Sequence, residues 1–268
     1  MASPELDATQ RAAQEQFSRQ SERYAKGHIL EAVEDVAEII SFVSIPAGAR
    51  VLDVACGAGH TGLYLASLGH QVTCADLSSA MLERTRAAAT ARGLLVETAQ
   101  HPAETMPYAD RSFDLVTCRV APHHFSSPAA FVSEVARVLR PGGSFLLIDG
   151  TVPEDDEEMG TWLNEVEKLR DPTHVRLLSP REWTALCHGA GLRVEKQWLR
   201  GKKQPDLEWY FETAATSPEN RRAVRKLIET ASAQVRKTYA LDQEQDRIIW
   251  WWPMLSLIAR REATEVPN

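Results

Sequence analysis

The chain has 268 residues, 44% of them apolar and 25% charged, the balance of a globular protein and not of a disordered or fibrous one. A net charge of -7 opposes attraction to phosphate backbones, so nucleic acid is a disfavoured partner. Cys56, Cys74, Cys118 and Cys187 lie far apart with no CxxC pair, which predicts free thiols in a reducing compartment and no zinc site.

The acidic start lacks the basic and apolar regions of a secretory signal, so a cytoplasmic chain is expected. Residues 6–25 are polar with scattered Ala, Phe17 and Tyr24, while Ile29, Val33, Val36, Ile40 and Val43 recur at helical spacing. Two helices, forming a cap over residues 1–45, are therefore expected before the first strand. A strand over 51–56, a glycine loop, a helix ending near Gly69 and a strand over 71–77 then make a strand–helix–strand unit. Alternation continues with a helix from Ser79 to about Ala91, strands near 94–99 and 113–118, a helix from Pro128 to Leu139 and a strand over 144–149. Residues 46–150 thus predict a doubly wound parallel sheet with helices on both faces, binding a cofactor.

The remaining residues, 151–268, read as an acceptor-side half of the same domain. Helices are expected around 156–169 and 180–190, then a strand over 192–199. A mostly helical insertion over 203–248 follows, with Val224, Leu227, Ile228, Ala231 and Val235 in one apolar stripe, before a Trp-rich strand over 249–259. The apolar run from Ile248 to Ala259 is too short to span a bilayer and contains Pro253, so no membrane partner is expected.

Gly57-Ala-Gly59-His-Thr-Gly62 matches GxGxxG between an apolar strand and a helix, the setting a nucleotide-type loop requires. Glycine lets backbone approach a ligand, and the helix N-terminus offers unpaired N–H groups. Asp76 ends the next strand, where a carboxylate can accept from both hydroxyls of a ribose. An adenosine-containing cofactor is predicted, either a nicotinamide dinucleotide or S-adenosylmethionine. Asp53 beside the loop favours the second, because a carboxylate attracts an amino group and a sulfonium and repels a pyrophosphate.

The runs VLDVACGAGHTG (51–62), ADLSSAML (75–82), MPYADRSFDLVTCRVAPHHF (106–125) and RVLRPGGSFLLID (137–149) resemble the class I S-adenosylmethionine-dependent methyltransferases, most of all their UbiE-like small-molecule branch. The resemblance implies a Rossmann-like seven-stranded, mostly parallel sheet whose last strand is antiparallel. It implies transfer of a methyl group from S-adenosylmethionine to an O, N, S or C acceptor on a small molecule, leaving S-adenosylhomocysteine. It further implies that Asp53, Ala55, Gly57 and Gly59 cradle the methionyl part, Asp76 takes the ribose, and Leu77 and Met81 sandwich the adenine. Where the family often has an acidic residue and Ala, this chain has Pro102-Ala103-Glu104, so Ala103 and Glu104 are the expected adenine contacts. Arg119 and His124 would line the pocket near the sulfonium. An NAD-dependent oxidoreductase using the same loop, or a non-catalytic S-adenosylmethionine-binding protein, are the alternatives.

Methyl transfer from a sulfonium needs alignment and a dry site more than a metal, and a general base where the acceptor arrives protonated. His123 and His124, at the carboxyl end of a strand, are candidate bases, with packing under the loop as the plainer reading. Asp149 ends the next strand, as an acceptor ligand or a turn residue. In Arg170-Asp-Pro-Thr-His-Val-Arg176, His174 and Arg176 are candidate substrate contacts, or parts of an ion-pair network. Tyr24 would close the methionyl end beside His28, and Trp251 would line an aromatic acceptor cavity, or each packs in the core.

Overall fold

A computed structural model describes residues 5–25, 30–244 and 247–262; Ile29 and His28 lie outside the described residues. Near-continuous apolar runs over 51–54, 72–75 and 115–118 are buried on both faces, as parallel strands under two helical layers must be. Helix α1 (Ala8–Ala25) and helix α2 (Glu34–Ser41) precede strand β1 (Arg50–Val54). Helix α3 (His60–Ser67), β2 (Gln71–Asp76), α4 (Ser79–Ala91), β3 (Val96–Gln100) and β4 (Phe113–Arg119) follow. A 3₁₀ turn (Pro122–His124), α5 (Pro128–Val138) and β5 (Leu139–Gly150) complete the first half. The start of α4 is set by Ser78, whose side chain accepts from Met81 N at 3.2 Å, a helix N-cap. β3 begins at Val96 instead of 94, leaving Leu95 93% exposed.

The second half has α6 (Glu157–Arg170), α7 (Pro180–Gly189), a long β6 (Leu192–Lys203) and β9 (Trp251–Arg261). All seven long strands form one sheet in the order β3-β2-β1-β4-β5-β9-β6, with β9 antiparallel to both neighbours. This is the expected α/β topology. α2 and α3 pack with Val51, Leu65 and Ile258 on one face, while α5 and α7 pack with Val54, Phe145 and Trp183 on the other.

Between β6 and β9 lies the insertion, which holds α8 (Leu207–Thr213), α9 (Pro218–Glu229) and α10 (Ala233–Thr238). It also holds a two-stranded hairpin of β7 (Asp242–Glu244) and β8 (Arg247–Ile249), so the Trp-rich strand starts at Trp251, two residues later than expected. The predicted apolar stripe is one surface built from two helices: Ser232 caps α10 by accepting from Val235 N, and Val224, Ile228 and Val235 join Leu163, Tyr210 and Trp250 in a separate core. That core makes α6 and α8–α10 a cap over the carboxyl ends of the strands. No helix among the described residues is long and apolar enough to cross a membrane.

Candidate active site

A cavity opens at the carboxyl ends of β1, β2 and β4, where open α/β sheets hold ligands. The three glycines of the loop act differently. Gly57 lines the cavity with φ +54°, and a Cβ there would meet nothing within 4 Å. Gly59, at φ +86°, turns the chain against Thr85, whose side chain a Cβ would strike at 2.7 Å. Gly62 seats α3 on the sheet, since its Cβ would lie 2.4 Å from Cys74 Sγ. Gly59 therefore shapes the loop from behind and does not line the cavity, contrary to the expected cradle; Ala55, also expected there, does line it.

Asp76 lines the cavity and is anchored by two backbone donors, Gly57 N to Oδ2 at 2.9 Å and Ser78 N to Oδ1 at 2.8 Å. Each oxygen keeps a lone pair for a diol. Burial raises its pKa. Leu77, Met81, Ala103 and Glu104 also face the cavity. Glu104 is already engaged, accepting from Ser126 N and Oγ at 3.0 Å and from Gln10 Nε2 at 2.9 Å.

Asp53 corrects its expectation. Strand alternation turns it toward α3, where Oδ2 accepts from Gly62 N at 2.9 Å and Oδ1 from Thr117 Oγ1 at 2.7 Å. It is 1% exposed and outside the cavity wall, and it ties the start of α3 to β4. Burial pushes its carboxyl up to about 7. The charge reasoning that used Asp53 to disfavour a pyrophosphate therefore does not hold.

At the far end, Arg119 lines the wall and clips the 30–35 segment over it, donating to Leu30 O, Ala32 O and the Asp35 carboxylate. Val120 has φ +52°, a strained conformation for a β-branched residue, and this kink aims the following turn. His124, on that turn, faces the cavity with its ring edge-to-face on Phe17, centroids 4.9 Å apart. Burial and His123 push His124 down to about 3. His123 stands behind it, centroids 4.2 Å apart, with Nδ1 2.7 Å from Asp149 Oδ1 and its backbone N donating to Oδ2. Burial lowers the His123 pKa, but Asp149, Glu167 and Asp171 outweigh it and the net shift is upward. Neither His123 nor Asp149 lines the cavity directly.

Residues 52–147 match the methyltransferase domain family. The uncharacterised methyltransferase YcgJ of Bacillus subtilis is 32% identical over 233 residues, 86% of this chain and 90% of YcgJ. The chain belongs to the class I S-adenosylmethionine-dependent methyltransferases. The crystal structure of YcgJ superposes with a TM-score of 0.80 at 30% identity, over 86% of this chain and 99% of that one. A solved structure from Bacillus halodurans gives a TM-score of 0.81 at 31% identity, over 85% and 99%. A ubiquinone biosynthesis O-methyltransferase of Xanthomonas axonopodis is 37% identical over 163 residues, 59% of this chain and 68% of that protein.

As in a methyltransferase whose ligands are enclosed, the cavity is roofed by a helix. α1 contributes Gln10, Ala13, Gln14, Phe17 and Tyr24 to the wall, and only Tyr24 of these was expected from sequence. Burial raises the Tyr24 pKa to about 12. Gln14 Nε2 donates to Leu77 O at 2.9 Å, beside the adenosine end, and Gln16 and Gln20 donate to Ala214 O in the cap. His60 also lines the methyltransferase cavity, its Nε2 2.9 Å from Tyr24 O.

Three expected substrate contacts sit elsewhere. His174 is buried behind the histidine pair with Nε2 3.0 Å from Asn164 Oδ1, and burial followed by the neighbouring His123 and His124 pushes it to about 2. Arg176 is on the surface, paired with Glu182. Trp251 is 41% exposed and covers Gly201 on the neighbouring strand. In each case the backbone path beyond the motif sets the direction, and the motif itself carries no information on it.

Proposed function

We propose that the protein transfers the methyl group of S-adenosylmethionine to a small molecule. The observation that carries this reading is a cavity with two unlike ends: Asp76 beside the open Gly57 backbone at one, and the His124–Phe17 pair at the other. Asp76 would hold the ribose, Leu77 and Met81 the adenine, Ala103 its edge, and Ala55 and Gly57 the methionyl backbone. When bound, the cofactor supplies a methyl carbon on sulfur, and the leaving thioether needs no proton. The chain's own residues exclude water, orient the acceptor and receive any proton it loses. His124, the histidine on the cavity wall, is the base we assign, and His123, its Nδ1 held by Asp149, stands behind it. Arg119 shapes the wall instead of binding an anion, because its donors are committed to the 30–35 segment.

A small acceptor is supported by the roof: α1 lays Phe17 and Tyr24 over the cavity beside His124. The ubiquinone biosynthesis O-methyltransferase among the relatives acts in keeping with an oxygen acceptor. Calorimetry with S-adenosylmethionine, S-adenosylhomocysteine and NAD in parallel tests the reading. Micromolar binding of the two sulfur compounds and none of NAD is expected, with Asp76→Ala weakening both by roughly tenfold or more; binding of NAD alone sinks it.

A further inference from the structure

We propose that Asp171, Thr173 and His124 form a hydrogen-bond relay that fixes Nε2 of His124 as an acceptor, so that the site selects a methyl acceptor presenting a neutral, acidic hydroxyl. The inference rests on the cavity being the methyl-transfer site proposed above. Asp171 Oδ1 accepts from Thr173 N at 2.9 Å and from Thr173 Oγ1 at 2.7 Å. A carboxylate has no hydrogen to give, so the threonine hydroxyl spends its only hydrogen on Asp171. The same Oγ1 lies 3.2 Å from His124 Nδ1 and can only accept there. His124 must therefore carry its hydrogen on Nδ1, and a neutral imidazole of that tautomer has its lone pair on Nε2. All three residues belong to the wall between core and cap, with Asp171 4% and Thr173 7% exposed.

Among the described residues no hydrogen bond reaches Nε2, while the ring faces the cavity against Phe17. A carboxylate or phosphate placed there meets a lone pair, and the one cation in the same wall, Arg119, is saturated by Leu30, Ala32 and Asp35. An ammonium brings a charge and three donors to one neutral acceptor, and the Asp35 carboxylate is already paired with Arg119. A hydroxyl donates to Nε2 without either penalty. As the oxygen of a phenol-type hydroxyl takes the methyl group and the sulfur–methyl bond breaks, its proton becomes strongly acidic and passes to Nε2 along the hydrogen bond already made. Burial and His123 keep His124 itself neutral, in line with a role as acceptor and positioning group.

The test uses the full chain, ¹⁵N-labelled and saturated with S-adenosylhomocysteine, with phenol, benzoate and benzylamine as probes. Long-range ¹H–¹⁵N correlation should show His124 with Nδ1–H and a pyridine-like Nε2 that shifts on adding phenol. Benzoate and benzylamine should bind at least about tenfold more weakly than phenol. Thr173→Ser should preserve the tautomer and the phenol response. Thr173→Val should release the tautomer and weaken phenol about tenfold, while S-adenosylhomocysteine affinity stays within about twofold. An Nε2–H tautomer in the wild type, benzoate binding as tightly as phenol, or an unchanged phenol response in Thr173→Val would each overturn the relay. Failure of the wild type to bind S-adenosylhomocysteine would overturn the cofactor reading beneath it, and the tautomer measurement on the free protein separates the two.

Discussion

Asp53 and Asp149 are both buried carboxylates on central strands, and their partners give them different work. Asp53 serves Gly62 N and Thr117, and its pKa of about 7 stands above the ordinary 3.8. The folded state therefore binds an extra proton in the window between those values, and this group's contribution to stability is lost as pH rises through it. Urea unfolding at about pH 5 and about pH 8 should show a smaller pH-dependent loss for Asp53→Asn than for the wild type, although the variant loses an acceptor worth roughly 1–3 kcal/mol. Equal losses in the two proteins would mean Asp53 is not the titrating group. Asp149 instead holds His123, whose pKa lies above 6.5 after burial is outweighed by the neighbouring carboxylates. With a hydroxyl acceptor, kcat/KM should rise as pH climbs through that raised value, because a protonated His123 opposes the positive charge that His124 gains on taking the proton. Asp149→Asn should move the rise to lower pH and reduce the plateau by roughly tenfold or more; a rise that stays in place removes the dyad from the mechanism. Asp76, at a strand end, lines the cavity as its position in the sequence suggests, whereas alternation along β1 turns Asp53 away from it, a direction its place in the motif does not reveal. Arg176 and Trp251 carry no such local signal, since their direction is set by loops and strand pairing that form only in the folded chain.

Elements join these residues into surfaces. α3 sits close enough to the sheet that Gly62→Ala would press a methyl onto Cys74 Sγ, an overpacking cost of about 1–3 kcal/mol. Thermal or urea unfolding should register that loss even without cofactor, whereas Gly57→Ala should act more on cofactor affinity than on packing. α1 was legible as a helix of the N-terminal cap and through Tyr24, but not in the rest of the wall it builds. Its residues follow no motif, and Gln10, Gln14 and Phe17 gain meaning only when the helix lies across the strand ends. Amide hydrogen exchange in α1 should slow on adding S-adenosylhomocysteine, with little change in α9; an unaltered α1 would mean it is not a roof. The strand–helix alternation, by contrast, was readable in order and nearly to the residue for α4 over Ser79–Ala91, where a serine cap fixes the boundary locally, whereas β5 begins at Leu139 and not at the expected 144.

Taken whole, the molecule is a sheet with its own core and a cap with another, and the cavity lies between the strand ends and α1. The antiparallel β9 was legible from the family resemblance, but the β7–β8 hairpin was not, since three-residue strands leave almost no period to read. The thiols report on this architecture. Cys74, Cys118 and Cys187 are buried, while Cys56 is partly exposed, lines the cavity and has its pKa raised by Cys74 and burial. A thiol reagent should label the native protein slowly and at Cys56 alone, S-adenosylhomocysteine should protect it, and denaturant should release all four cysteines.

The roof helix has a kinetic meaning. Gln14 fastens it to Leu77 on the cofactor side and Gln16 and Gln20 fasten it to Ala214 on the cap, so it cannot lift from one without straining the other. Cofactor exchange and the opening of the acceptor end then become one event, and spent cofactor and methylated product leave on a shared clock. Turnover on a fast acceptor would be timed by that undocking and would slow with solvent viscosity.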